Sequence, residues 1–205
     1  MQRLKITLPI IVEGRYDKST LSSFLDATII TTGGFAVFNN KEKQALLRRI
    51  AANGIIVLTD SDGGGRQIRS FLNGILPSDK IHNLYIPKIE GKESRKDKRS
   101  REGVLGVEGM SKEILTKILL PFSTDAPPKC AKMITKVDFF GDKLTGYENS
   151  SSRRRALCAL ADLPCDMTPN ALLEAMNLLY GYDGYKEKVK KIFETNKEEN
   201  KNGNE

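Results

Sequence analysis

The stretch Ile55-Ile56-Val57-Leu58-Thr59-Asp60-Ser61-Asp62-Gly63-Gly64-Gly65 decides the fold. Its apolar opening is short and has no polar alternation, which is what a strand buried on both faces of a parallel sheet requires. The strand ends on an acid at Asp60. Three glycines then lead into a helix that the pattern carries through Leu76, where Pro77 stops it.

The same grammar holds on either side. Pro9-Ile10-Ile11-Val12 reads as a buried strand that stops at Glu13-Gly14, with a helix expected from Asp17 to Leu25. Ala27 to Thr32 reads as a second strand, broken by Gly33-Gly34. Asn40 is placed to cap a helix through Ala51, closed by Gly54, with Arg48 and Arg49 where cations suit the helix dipole. Ile81 to Ile86 supplies a fourth strand before Pro87. This β-α-β-α-β-α-β order implies an α/β fold, a Rossmann-like parallel sheet with flanking helices. Ligands in such sheets bind beyond the carboxyl ends of the strands, where Glu13, Asp60 and Asp62 all stand.

Farther on, Lys88 to Gly103 reads as a charged loop, Val104 to Val107 as a last short strand, and Ser111 to Leu120 as a helix capped by Ser111. Pro121 to Lys129 holds three prolines and reads as a linker. Val137–Leu144, Ser150–Ala161 and Thr168–Leu179 read as helices of a small all-α domain, the last opened by Thr168-Pro169. From Glu187 the chain mixes Lys and Glu with Asn, and its last ten or so residues are expected to fray into disorder. The resulting division is 1–120 for a catalytic domain, 121–136 for a linker, 137–188 for a helical domain and 189–205 for a partly disordered charged tail.

Composition narrows the function. The net charge is +7, and residues 1–120 hold 20 Lys and Arg against 13 Asp and Glu, whereas 121–205 balance 13 against 13. The basic excess therefore shares a domain with the acidic motifs, an arrangement suited to phosphodiester chemistry on a polyanion. No apolar run approaches the length of a membrane span. The opening Met1-Gln2-Arg3-Leu4-Lys5-Ile6 lacks the features of a secretory signal, so a cytoplasmic location is expected. Cys130, Cys158 and Cys165 are odd in number and show no C-x-x-C spacing, which supports neither a disulfide framework nor a zinc knuckle. They are expected to be ordinary buried or partly buried thiols.

Glu13 on one strand end and Asp60 with Asp62 on another would repel one another unless a cation sits among them, and hard oxygen donors favour magnesium. Glu13 either completes the metal site or serves as general base. Gly63, Gly64 and Gly65 let backbone N–H groups approach a phosphate at a helix start, with Arg66 and Arg69 nearby.

Ile11-Val12-Glu13-Gly14-Arg15-Tyr16-Asp17, followed by Leu58-Thr59-Asp60-Ser61-Asp62-Gly63-Gly64-Gly65-Arg66-Gln67-Ile68-Arg69, resembles the two signatures of the Toprim domain found in topoisomerases, primases and certain nucleases. With the Ile68-Arg69 ending, Gly106-Val107-Glu108, and Arg153-Arg154-Arg155 followed by Leu157 and Leu160, the chain is similar to the 5S ribosomal RNA maturation endonucleases, the ribonuclease M5 family. The resemblance implies magnesium-dependent hydrolysis of precursor 5S rRNA on both sides of its terminal stem, with a 5S-binding ribosomal protein assisting. It implies Glu13 as general acid/base and Asp60 and Asp62 as metal ligands. The family often has proline between its aspartates and an acid after the glycines; here Ser61 and Arg66 stand there.

Further candidates for phosphate or RNA contact are Arg15 beside the glutamate, Lys96, Lys98, Arg99 and Arg101 in the charged loop, and Arg153, Arg154 and Arg155, which otherwise only solubilise a helix. Asp17 is expected to cap a helix, His82 to be structural, and Glu108 is a candidate for joining the acids from a third strand end. A primase-like or DNA-processing Toprim nuclease and a non-catalytic RNA-binding assembly factor are the alternatives. A primase would need a larger polymerase region, which is not visible.

Overall fold

The longer strands form where the β-branched runs lie, and the computed structural model describes residues 3–93, 102–124 and 132–202, with side chains through Glu194. The chain divides into two compact units, Met1–Pro127 and Pro128–Glu205.

In the first unit, β1 (Leu4–Lys5) and β2 (Ile10–Val12) precede α1 (Arg15–Ser22), β3 (Leu25–Asp26) and β4 (Ile29–Thr31). There follow α2 (Lys41–Ala51), β5 (Ile55–Thr59), α3 (Gly63–Ile75) and β6 (Ile81–Tyr85). Strands β4-β2-β5-β6 form a four-stranded sheet in that order, and β1 pairs with β3 in a smaller one; all these pairings are parallel. Ile10 lies opposite Ile29 on one side and Ile56 on the other. Strand β5 is buried along its whole length, as a central strand covered on both faces must be. Ile11, Val57, Leu47, Ala51, Ile68 and Leu72 share one core cluster, so α2 and α3 pack on the same side of the sheet.

Local signals act as expected in several places. The Asn40 side chain accepts the Lys43 N–H at 2.8 Å and starts α2. Gly54 takes φ +102° after it, a conformation costly for any residue with a Cβ. Ser111 caps α4 (Lys112–Leu119).

Three expectations need correction. The first helix starts at Arg15, two residues early, because the Asp17 carboxylate accepts the Gly14 N–H at 2.9 Å, and it ends at Ser22 so that Leu25–Asp26 can pair with β1. Val104 to Val107 is not a strand. Val104 makes a single antiparallel bridge to Glu90, and Val107–Gly109 closes into a 3-10 turn. The linker is tied at its start: Leu120–Phe122 forms a 3-10 turn, and Ser123 bridges to Ile6. His82 packs its ring 5.1 Å from Phe122, a structural contact.

The second unit consists of α5 (Lys136–Gly141), α6 (Ser150–Leu160), α7 (Pro169–Leu179) and α8 (Gly181–Asn202). Helix α8 extends into the charged tail. Tyr185, Val189 and Ile192 are buried at helical spacing on one face, and Lys191 pairs with Glu187 one turn back. Cys158 is buried, with its thiol pushed up to about 12 chiefly by burial, whereas Cys165 is exposed rather than partly buried. Cys130 lies outside the described residues. Among the described residues no helix is long and apolar enough to cross a membrane. The architecture is that of a Toprim-type α/β sheet followed by a helical region.

Candidate active site

Glu13 is the first residue past β2 and Asp60 the first past β5, so two adjacent parallel strands present their acids at the same end. The backbone fixes both. Asp60 N–H donates to Glu13 Oε1 at 2.9 Å, and Val107 N–H donates to Asp60 Oδ1 at 2.8 Å. The Glu13 carbonyl accepts from the N–H groups of Gly33 and Gly34 at 3.0 and 3.1 Å, which brings the end of β4 alongside.

Glycine is required where these elements close on one another. A Cβ at Gly65 would stand 2.2 Å from the Asp60 carbonyl oxygen and 2.8 Å from Glu13 Oε1. One at Gly106 would stand 2.5 Å from Asp60 Oδ2. Neither glycine has a positive φ, so the need is for space rather than backbone freedom.

The resulting cleft is lined by Glu13, Gly14, Tyr16, Asp17, Gly33, Gly34, Asp60 and Glu108. Burial, followed by the negative charges of Glu13 and Asp17, raises the Asp60 carboxyl to about 7. Glu13 is also raised, first by burial; the Asp60 N–H opposes this, and Asp62 and Asp17 add to it. The site therefore concentrates negative charge that its own hydrogen bonds only partly offset.

Asp17 caps α1 as expected, and it also belongs to this acidic group. Glu108 reaches the cleft from the 3-10 turn instead of a strand end. Asp62 is placed differently: it does not line the cleft, and its Oδ1 accepts the Gly65 N–H at 2.8 Å as the cap of α3. Among the described residues no group of three or more His, Cys, Asp or Glu side chains is disposed to hold a metal ion.

The expected phosphate contacts divide. Gly63 N–H donates to Glu102 Oε1 at 2.6 Å and Gly65 N–H to Asp62, so two amides of the glycine turn serve carboxylates within the protein. Arg66 is exposed on α3, whereas Arg69 is buried, donating to Thr59 Oγ1 at 2.6 Å with its guanidinium 4.3 Å from the Tyr85 ring centre. Arg69 thus braces the sheet beneath the site. Arg15 lies over the Tyr16 ring at the lip of the cleft. Ser61, where the resembled family often has proline, is buried and donates to the Ile86 carbonyl, tying the end of β5 to the end of β6.

In the helical unit, Arg154 donates to the Leu144 carbonyl at 2.7 Å and Arg153 to that of Lys143 at 3.4 Å, so both hold the turn before α6. Arg155 remains exposed, bonded to Ser151. Lys96, Lys98, Arg99 and Arg101 lie outside the described residues.

No protein-family model matches the chain. Curated proteins do. It is 32% identical over 157 residues to the ribonuclease M5 of Fusobacterium nucleatum, covering 76% of this chain and 79% of the relative. Over 148 residues it is 30% identical to the ribonuclease M5 of Clostridium botulinum, with 72% and 75% covered, and 32% identical to that of Clostridium acetobutylicum, with 71% and 72% covered. With the acids assembled at one end of a Toprim-type sheet and these relatives spanning most of both chains, the protein belongs to the ribonuclease M5 family of endoribonucleases.

Proposed function

We propose that the chain is a magnesium-dependent endoribonuclease of the cytoplasm that hydrolyses phosphodiester bonds in precursor ribosomal RNA, with precursor 5S rRNA as substrate and a 5S-binding ribosomal protein as assistant. The observation that carries this reading is the Glu13–Asp60 pair: two partly buried carboxylates on adjacent strand ends, joined by the Asp60 N–H.

The donors are all hard oxygens, and Glu13 and Asp60 are both held above the ordinary carboxylate range. This is a set that gains from a divalent cation. Magnesium commonly uses only one or two protein carboxylates together with waters and substrate phosphate, so a three-ligand cage is not required. Asp60 would hold the ion, with Asp62 and Glu13 contributing charge close by. When bound, the ion supplies Lewis acidity and an activated water.

The protein supplies proton transfer and orientation. Glu13, raised above its ordinary value chiefly by burial, is suited to serve as general acid/base. The Asp60 and Val107 amides fix both carboxylates so that little reorganisation is needed during reaction. Arg66 and Arg155, both exposed, are suited to phosphate contact along with the basic loop.

Incubating the purified protein with transcribed 5S precursor, with and without Mg2+ and the ribosomal protein, tests the reading. Two cuts that vanish on chelation are expected. Undiminished cutting in EDTA would remove the metal, and cutting of a matched DNA strand instead of the RNA would move the substrate to the DNA-processing class.

A further inference from the structure

Phe35 follows Gly34, a residue of the cleft lining, in the 3-10 turn Gly34–Phe38 after β4, and it is 53% exposed. One face is occupied: its ring stacks on Phe38 with centroids 5.5 Å apart and planes 27° apart, and Phe38 packs on Phe71 at 4.7 Å. Phe38 and Phe71 in turn rest against the main core cluster. The ring is thus the outer step of an aromatic ladder anchored in the core. Its outer edge reaches across to α3, where a Cβ on Gly64 would meet Phe35 Cζ at 3.7 Å and Asp62 Oδ1 at 3.4 Å. A large apolar surface is therefore held in water between the end of β4 and the acids after β5.

We propose that Phe35 is a stacking platform for an unpaired nucleobase that flanks the scissile phosphate, a specificity-determining contact that selects RNA locally opened at the cut. The inference rests on the RNA-cleaving reading above. The cleft itself is lined by four carboxylates, glycines and one tyrosine, with no cationic side chain to attract the substrate's phosphate. An uncharged contact close by adds to the grip that cations elsewhere exert on the phosphates without competing with the acids. An aromatic face does this for any base, and proteins that read single-stranded RNA commonly use one. Tyr16, the other aromatic at the lip, has the Arg15 guanidinium 4.7 Å from its ring centre and Arg15 bonded to its hydroxyl, so Phe35 is the better-presented face.

The test uses full-length protein and a transcribed 5S precursor whose cut positions have been mapped, alongside versions with an abasic nucleotide on one or the other side of the bond. Phe35→Ala and Phe35→Leu are expected to lower kcat/KM on intact precursor about tenfold, while Phe35→Trp retains it. Unsubstituted protein should lose a similar factor on one abasic precursor, and Phe35→Ala should cost nothing further there. Phe35→Leu keeps apolar packing on Phe38, so its loss at an unchanged Tm separates stacking from folding. Wild-type rates for Phe35→Ala, or equal losses on intact and abasic RNA, would overturn the platform while leaving the nuclease reading in place. A loss seen only with the ribosomal protein present, and equally on both RNAs, would make Phe35 a protein contact and also overturn it. Failure of unsubstituted protein to cut any precursor removes the reading itself, and the platform with it.

Discussion

The Asp60 amide donates to the Glu13 carboxylate at 2.9 Å, so the acid after one strand is held by the backbone after its neighbour. Glutamine keeps an acceptor at this place and removes the charge and the proton exchange. Glu13→Gln is therefore expected to fold with a Tm at or above that of the parent while losing at least a hundredfold in kcat, the usual scale for a lost general acid/base. Single-turnover cleavage and a thermal melt on the same preparation check both halves.

Acidification should stabilise the metal-free protein through Asp60. Its folded pKa, about 7, lies above the ordinary 3.8, so the folded state binds the proton more tightly. The contribution is fully present below 3.8 and is lost as pH rises through 7. Between pH 8 and pH 5 the parent should therefore gain stability relative to Asp60→Asn, by an amount on the order of a few kcal/mol. Urea melts of both proteins in EDTA at the two pH values measure it, and Mg2+ should raise the parent's stability more at pH 8 than at pH 5.

Gly106→Ala tests the close approach to Asp60. The added methyl would begin 2.5 Å from Asp60 Oδ2, so either the carboxylate or the turn carrying Val107 N–H must move. A destabilisation of about 1–3 kcal/mol is expected, with a fall in kcat larger than any change in KM. Equal losses in an equally destabilised variant of the helical unit would show that stability alone was responsible.

Arg69→Ala should act on folding rather than on RNA affinity. The change removes a buried charge-assisted hydrogen bond to Thr59 and the contact with the Tyr85 ring, a loss of about 2–3 kcal/mol. RNA binding measured well below the lowered Tm should keep its salt dependence, whereas Arg66→Ala should lower the salt slope by about 1.

Much of the sheet was legible because its signals are local. Ile55–Thr59 announces a central strand by itself, and Asn40 meets its partner three residues away. The pairing of Glu13 with Asp60 followed from strand ends alone. What stayed hidden depends on distant contacts: Val107 reaches Asp60 from 47 residues away, and Arg69 looks like a phosphate ligand until Thr59 and Tyr85 are seen around it. Asp62 was placed in the metal site by its spacing, yet its nearest duty is the amide of Gly65. The seating of α8 was also hidden, because charges around it outnumber the three apolar residues, Tyr185, Val189 and Ile192, that it buries.

The parallel register that sets Ile11 opposite Val57 carries a further consequence. Because it decides which amide meets Glu13, cleavage reports on how β2 and β5 came together during folding. Molecules joined one residue out of step would contain every reactive side chain, and could pass for native by size and strand content, yet have no working pair of acids. If the proposed pair of acids does the cutting, specific activity thus measures the fraction of chains that found the correct alignment.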